Sequence, residues 1–125
     1  MAAVVDSSGW IEYFVQGANA AAFRPAIVAT QELIVPSICI YEVYRYIARV
    51  RDATSAARAV AAMMLAKVVD LTPDLTMMAA QLSATQRLPM ADSIILATAR
   101  RFGATLWTQD ADFAGIDGVN YLPKG

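Results

Sequence analysis

The chain has 125 residues, 58% of them hydrophobic, with ten basic and eleven acidic residues, a net charge of −1, one cysteine and no histidine. That length suits one domain, 1–125, with a full core, and the apolar excess leaves surface for a partner or a second copy. Without histidine, Ser–His–Asp and Cys–His nucleophile schemes and a Cys/His zinc site are excluded, and a lone Cys39 can form no intrachain disulfide and reads as an ordinary core residue.

The first predicted element is a strand near residues 3–5, closed at once by Asp6. The segment before Asp6 has no basic stretch, so a signal peptide is not expected. No apolar run in the chain approaches the roughly 18–20 residues of a membrane span, and a cytoplasmic protein is the expectation. Trp10 and Phe14, four apart, begin a helix. A second strand is expected near 33–36. It is followed by a helix whose Ile40, Val43, Tyr44 and Ile47 recur at i, i+3, i+4 and i+7 and predict its buried stripe. Glu42, Arg45 and Arg49 share the other face of that helix. After a strand near 68–71, Pro73 and Asp74 open a helix with a stripe of Leu75, Met78, Ala79 and Leu82. Pro89 opens the next, almost wholly apolar helix, which ends at Arg100, Arg101 and Gly103. Strands near 105–108 and 119–122 complete the chain. Five short apolar strands alternating with helices predict an α/β fold, a parallel sheet flanked by helices.

In such a sheet, ligands bind beyond the carboxyl ends of the strands, where the strand order reverses. Asp6 directly follows the first strand, and Asp110 stands two residues after Thr108, the end of the fourth. If those strands are neighbours, the two carboxylates meet. No G-x-x-x-x-G-K-[ST] or G-x-G-x-x-G loop is present. If this chain is an enzyme, its chemistry therefore rests mainly on carboxylates, which suit hard cations such as Mg²⁺ and Mn²⁺.

Each acid also has a plainer reading. Asp6 could cap a helix, in competition with Ser7 or Ser8. Glu42 could sit on a solvated face, paired with Arg45. Asp92 could be a carboxylate placed on a helix dipole, although burial at the mouth of an apolar helix is costly without a cation or donor. Asp110 and Asp112 could be turn and capping residues.

The ordered set decides between these readings. L-P-M-A-D-S-I-I-L-A-T-A around Asp92, followed by T-Q-D-A-D-F from Thr108, resembles the PIN domain. The order Asp6, then P-S-x-x-x-x-E ending at Glu42, then A-D at Asp92, then T-x-D-x-D-F matches it across nearly the whole chain. The resemblance is closest to the small VapC-type toxins of toxin–antitoxin pairs.

That resemblance implies a metal-dependent endoribonuclease with Asp6, Glu42, Asp92 and Asp110 as catalytic residues. Asp6, Asp92 and Asp110 would bind one or two Mg²⁺ or Mn²⁺ ions, and Glu42 would orient a water or accept its proton. Asp112 is expected further out, Ser7 and Thr108 as hydrogen-bond donors to a carboxylate or phosphate, and Arg45 and Arg49 as contacts to flanking phosphates. Gathering Asp6, Glu42, Asp92, Asp110 and Asp112 in one pocket leaves six acids against ten bases, a balance of +4 over the rest of the molecule. The implied partners are RNA, a cognate antitoxin and a second copy of the chain. The contact between copies would use helix faces and the methionines Met63, Met64, Met77 and Met78. Two rival readings stay open: a non-catalytic scaffold on the same fold, and a nuclease directed at DNA.

Overall fold

Strand β1 (Ala3–Val5) is wholly apolar and buried, as is β2 (Leu33–Pro36). Neither shows the polar alternation of a strand with one wet face, because helices cover both sides. In the computed structural model, which describes residues 1–125, these two join β3 (Lys67–Val69), β4 (Thr105–Thr108) and β5 (Val119–Tyr121) in one sheet of order β3-β2-β1-β4-β5. All four pairings are parallel. The strand expected at 68–71 starts and ends earlier, at Lys67 and Val69, and the fifth stops at Tyr121. Both are edge strands, where pairing on one side alone sets the limits.

Six helices connect and cover the sheet: α1 (Ser7–Phe14), α2 (Ala20–Val28), α3 (Ser37–Val50), α4 (Ala53–Met63), α5 (Pro73–Gln86) and α6 (Met90–Arg101). Local chemistry places their starts. Asp52 caps α4 by accepting from Ser55 N at 2.7 Å, and Thr72 caps α5 by accepting from Leu75 N at 3.3 Å ahead of Pro73. The α5 helix ends without glycine, on Arg87 held at φ +56°. Helix α6 buries every residue from Ser93 to Ala99 and lies against β1, β2 and β4. No helix is long and apolar enough to cross a membrane.

The buried face of α3 is turned from the expected stripe. Cys39, Val43 and Ile47 are buried, Ile40 is only half-buried, and Tyr44 is 42% exposed. The registry follows a spacing of four, so one edge of the predicted stripe faces outward. Met63 is fully buried in the core and cannot serve a contact between copies, whereas Met64 and Met77 are exposed.

The order places the topological switch between β1 and β4. From β1 the chain winds outward through β2 to β3, then crosses back over α5 and α6 to the other side of β1. Val5 is in register with Trp107, and the amide of Asp6 donates to the Trp107 carbonyl at 2.9 Å. The residues that follow β1 and β4 thus emerge side by side.

Candidate active site

Four elements deliver carboxylates to the carboxyl end of the sheet. Asp6 leaves β1, Glu42 stands on α3, Asp92 occupies the first turn of α6, and Asp110 follows β4. All four line one open cavity of about 380 Å³, together with Ser7, Ser8, Ile11, Tyr41, Arg45, Tyr46 and Arg49.

Asp6 is only 3% exposed. It holds the N-cap position of α1, but its side chain makes no capping hydrogen bond. Its Oδ2 instead accepts from Ser8 Oγ at 2.7 Å and from Thr108 Oγ1 at 2.9 Å. Burial raises the Asp6 pKa, against the lowering effect of those hydroxyls. Thr108 Oγ1 also accepts from Asp110 N at 2.9 Å, so one hydroxyl fixes an aspartate on each strand end. Ser7 Oγ donates to Glu42 Oε1 at 2.7 Å, tying α1 to α3. Glu42 is raised too, first by burial and further by Asp6 and Asp110, with the Ser7 hydroxyl opposing.

Asp92 is strongly perturbed. Burial, then the charges of Asp6, Asp110 and Asp112, push it up to about 7. Asp110 Oδ1 caps the 3₁₀ turn Ala111–Phe113 by accepting from Asp112 N at 2.9 Å, so its capping role and its place in the cavity coexist. One carboxylate oxygen each from Asp92, Asp110 and Asp112 lie within 4.8 Å of one another. Asp112 therefore stands as near its fellows as a ligand would, although its side chain is exposed.

No cation of the protein answers these charges. The one ion pair in the chain joins the N-terminal amine to Glu32, on an exposed surface. Acids crowded at this spacing, partly buried and without an arginine or lysine partner, fit a divalent cation: oxygen donors, a negative field and an open face for water or ligand. Arg45 and Arg49 line the same cavity without pairing to a carboxylate, and Arg49 lies 5.5 Å from the Tyr46 ring centroid.

A model of the PIN domain matches residues 3–119. The chain belongs to the PIN-domain family. No curated protein matches this PIN domain in sequence, but solved structures match its fold over nearly their whole length. A toxin–antitoxin complex from Klebsiella pneumoniae superposes with a TM-score of 0.83 at 25% identity, over 99% of this chain and 100% of that one. The Mycobacterium tuberculosis toxin VapC20, which cleaves the sarcin–ricin loop, gives 0.76 at 20% identity over 93% and 95% of the two chains. VapBC2 from Rickettsia felis, bound to a promoter DNA fragment, gives 0.75 at 12% identity over 98% of each.

Sequence reasoning misses three features of this PIN domain's pocket. Ser8 reads in the sequence only as a rival cap, yet it donates to Asp6 and accepts from Gln109 N at 3.3 Å. Tyr41 and Tyr46 line the cavity beside Glu42. Tyr46 had a signal, standing four residues after Glu42 on the same helix face. Cys39 is inert here, since complete burial pushes its thiol pKa well up.

Proposed function

We propose that this PIN domain is a Mg²⁺- or Mn²⁺-dependent endoribonuclease, the toxin of a toxin–antitoxin pair. The observation that carries the reading is the convergence of Asp6, Glu42, Asp92 and Asp110 on one cavity with no protein cation paired to any of them. Asp6, Asp92 and Asp110 would hold the ion or ions, with Asp112 close enough to join them. When bound, such a cation lowers the pKa of a water and stabilises charge on a phosphodiester under attack.

The chain's own groups do the rest. Both hydroxyl bonds to Asp6 land on Oδ2, which fixes the carboxylate plane and leaves Oδ1 free of side-chain bonds. The Ser7 bond to Oε1 of Glu42 leaves Oε2 to receive a proton from the attacking water. The raised pKa of Glu42 suits a proton acceptor more than a fixed ion. Arg45 and Arg49 would hold phosphates beside the scissile one, and Tyr41, 63% exposed at the same rim, offers a ring for an unpaired base. Groups of this kind favour a single-stranded or looped substrate, and the resemblance to VapC-type toxins is what makes RNA the substrate proposed.

The likeness to the Klebsiella complex supports an antitoxin as the protein partner. A second copy would seat on an apolar cleft between α3 and α4, which shares its Tyr41, Arg45 and Arg49 edge with the acidic cavity and so with the RNA. That cleft, about 670 Å³, is lined by Ile40, Tyr41, Tyr44, Arg45, Ala48, Arg49 and Val60. The test is cleavage of a structured RNA by the purified chain with Mg²⁺ or Mn²⁺. Cleavage should stop in excess EDTA and in Asp6→Asn; undiminished cleavage in EDTA refutes the metal reading, and preference for duplex DNA refutes the substrate.

A further inference from the structure

Gln109 lies between Thr108 and Asp110, yet its buried side chain does not line the acidic cavity. It turns instead to Glu12 on α1 and Asn19 before α2. Gln109 Nε2 donates to Glu12 Oε1 at 3.4 Å, and Asn19 Nδ2 donates to Gln109 Oε1 at 3.1 Å. Asn19 Nδ2 also donates to the Pro123 carbonyl at 3.0 Å, and the Asn19 amide donates to Glu12 Oε2 at 2.8 Å.

The direction of this chain of bonds is dictated by chemistry. The Pro123 carbonyl only accepts, so the Asn19 side-chain nitrogen must face it. That same nitrogen requires the oxygen of Gln109, which turns the Gln109 nitrogen toward Glu12, an acceptor. Two further observations point to a built arrangement. Asn19 occupies the N-cap position of α2, where asparagine is favoured for capping, but makes no capping bond. The Glu12 carboxylate folds over Gly17, where any Cβ would collide with it.

We propose that Glu12, Asn19 and Gln109 form a brace that positions Asp110 against Asp92. From one side, Thr108 Oγ1 and Ser8 Oγ hold the amides of Asp110 and Gln109. From the other, the brace holds the Gln109 side chain. The peptide that carries Asp110 into the cavity is thus clamped between them, and its slack is removed before a cation arrives. These three are positioning residues; none touches substrate or metal. The inference rests on the metal-site reading of the cavity.

The experiment is a Mn²⁺ titration of the full chain at neutral pH, followed by electron paramagnetic resonance, with Asn19→Ala, Glu12→Gln and the double variant that combines Glu12→Gln with Gln109→Glu. Asn19→Ala changes no charge and should weaken Mn²⁺ binding about tenfold, as loss of a partner behind a ligand does. Glu12→Gln sets a donor against the Gln109 donor and should weaken it similarly. The double variant restores every donor–acceptor pair. Its new amide at position 12 donates to its new carboxylate at position 109, while Asn19 still donates to that carboxylate and to the Pro123 carbonyl. Its affinity should return to within about threefold of the parent. For RNA cleavage, the single variants should lose kcat at low Mn²⁺, regain it in excess Mn²⁺ and keep the parental KM. Parental Mn²⁺ affinity in both single variants, or a double variant no better than Glu12→Gln, overturns the brace. A parent chain that binds no Mn²⁺ fails the metal reading itself, a separate and earlier outcome of the same titration.

Discussion

Replacing Asp92 by Asn should stabilise the metal-free protein at pH 8 and leave its stability unchanged near pH 4. Asp92 is raised from 3.8 to about 7 by burial and by Asp6, Asp110 and Asp112. Each unit corresponds to about 1.4 kcal/mol between protonation states. The side chain is only half-buried, so solvent screening reduces the full value by about half, to roughly 2 kcal/mol. The sign follows from proton binding. Between the unfolded and folded values the native state holds the proton that the unfolded chain has lost, so stability falls as pH rises from about 4 to about 7. Above that window the whole penalty is present, and asparagine removes it. Asparagine also forfeits a favourable charge at the start of α6, worth about 0.5 kcal/mol, which the larger effect outweighs. The net gain of about 1.5 kcal/mol should raise Tm by roughly 5 °C at pH 8. Mg²⁺ should reverse the order by stabilising the parent more than the variant. Differential scanning calorimetry at pH 4 and pH 8, in EDTA and in Mg²⁺, measures all four corners. A variant less stable than the parent at pH 8 in EDTA would show that Asp92 serves the helix dipole rather than a crowded anionic pocket.

Arg45→Ala and Arg49→Ala should raise KM for RNA with little change in kcat, because both line the rim rather than touch the carboxylates. Each should also flatten the salt dependence by somewhat under one unit of slope, and single-turnover cleavage at several salt concentrations checks both effects. Gly9→Ala should cost about 1–3 kcal/mol in urea unfolding. Its Cβ would fall 2.7 Å from Phe23 Cε1 and 2.8 Å from Val5 Cγ1, both locked in the core. Arg87→Gly should gain about 0.5–1 kcal/mol in the same assay, since φ +56° at the end of α5 suits glycine and strains a side chain.

The parts of the fold carried by contrast were legible in the sequence. Apolar runs marked all five strands, and the strand order meets the condition on which Asp6 and Asp110 would come together, β1 beside β4. Helix α2 was hidden by Pro25 within it, a residue that normally argues against a helix interior. Helix α4 was hidden because its inner face is largely alanine, Ala56 and Ala59 with Met63, and alanine gives little hydrophobic contrast. The acids of the pocket were visible as an ordered set of motifs. Ser8 and Gln109 were not, because their importance lies in partners about a hundred residues away in one case and ninety in the other. Pairing across such separations leaves no periodicity to read.

The position of β1 in the middle of the sheet has a consequence for how the protein comes into being. Its two neighbours are β2, the next strand made, and β4, which arrives only near the end of the chain. Asp6 finds Thr108, its partner from β4, only after more than a hundred residues have been synthesised. Until then the first strand has one side unpaired and the four acids cannot meet. A half-made chain therefore carries Asp6 and Glu42 but not Asp92, Asp110 or the pocket. The complete pocket, and with it the hydrolysis proposed for it, depends on the late-made β4 and not on the length of polypeptide already made.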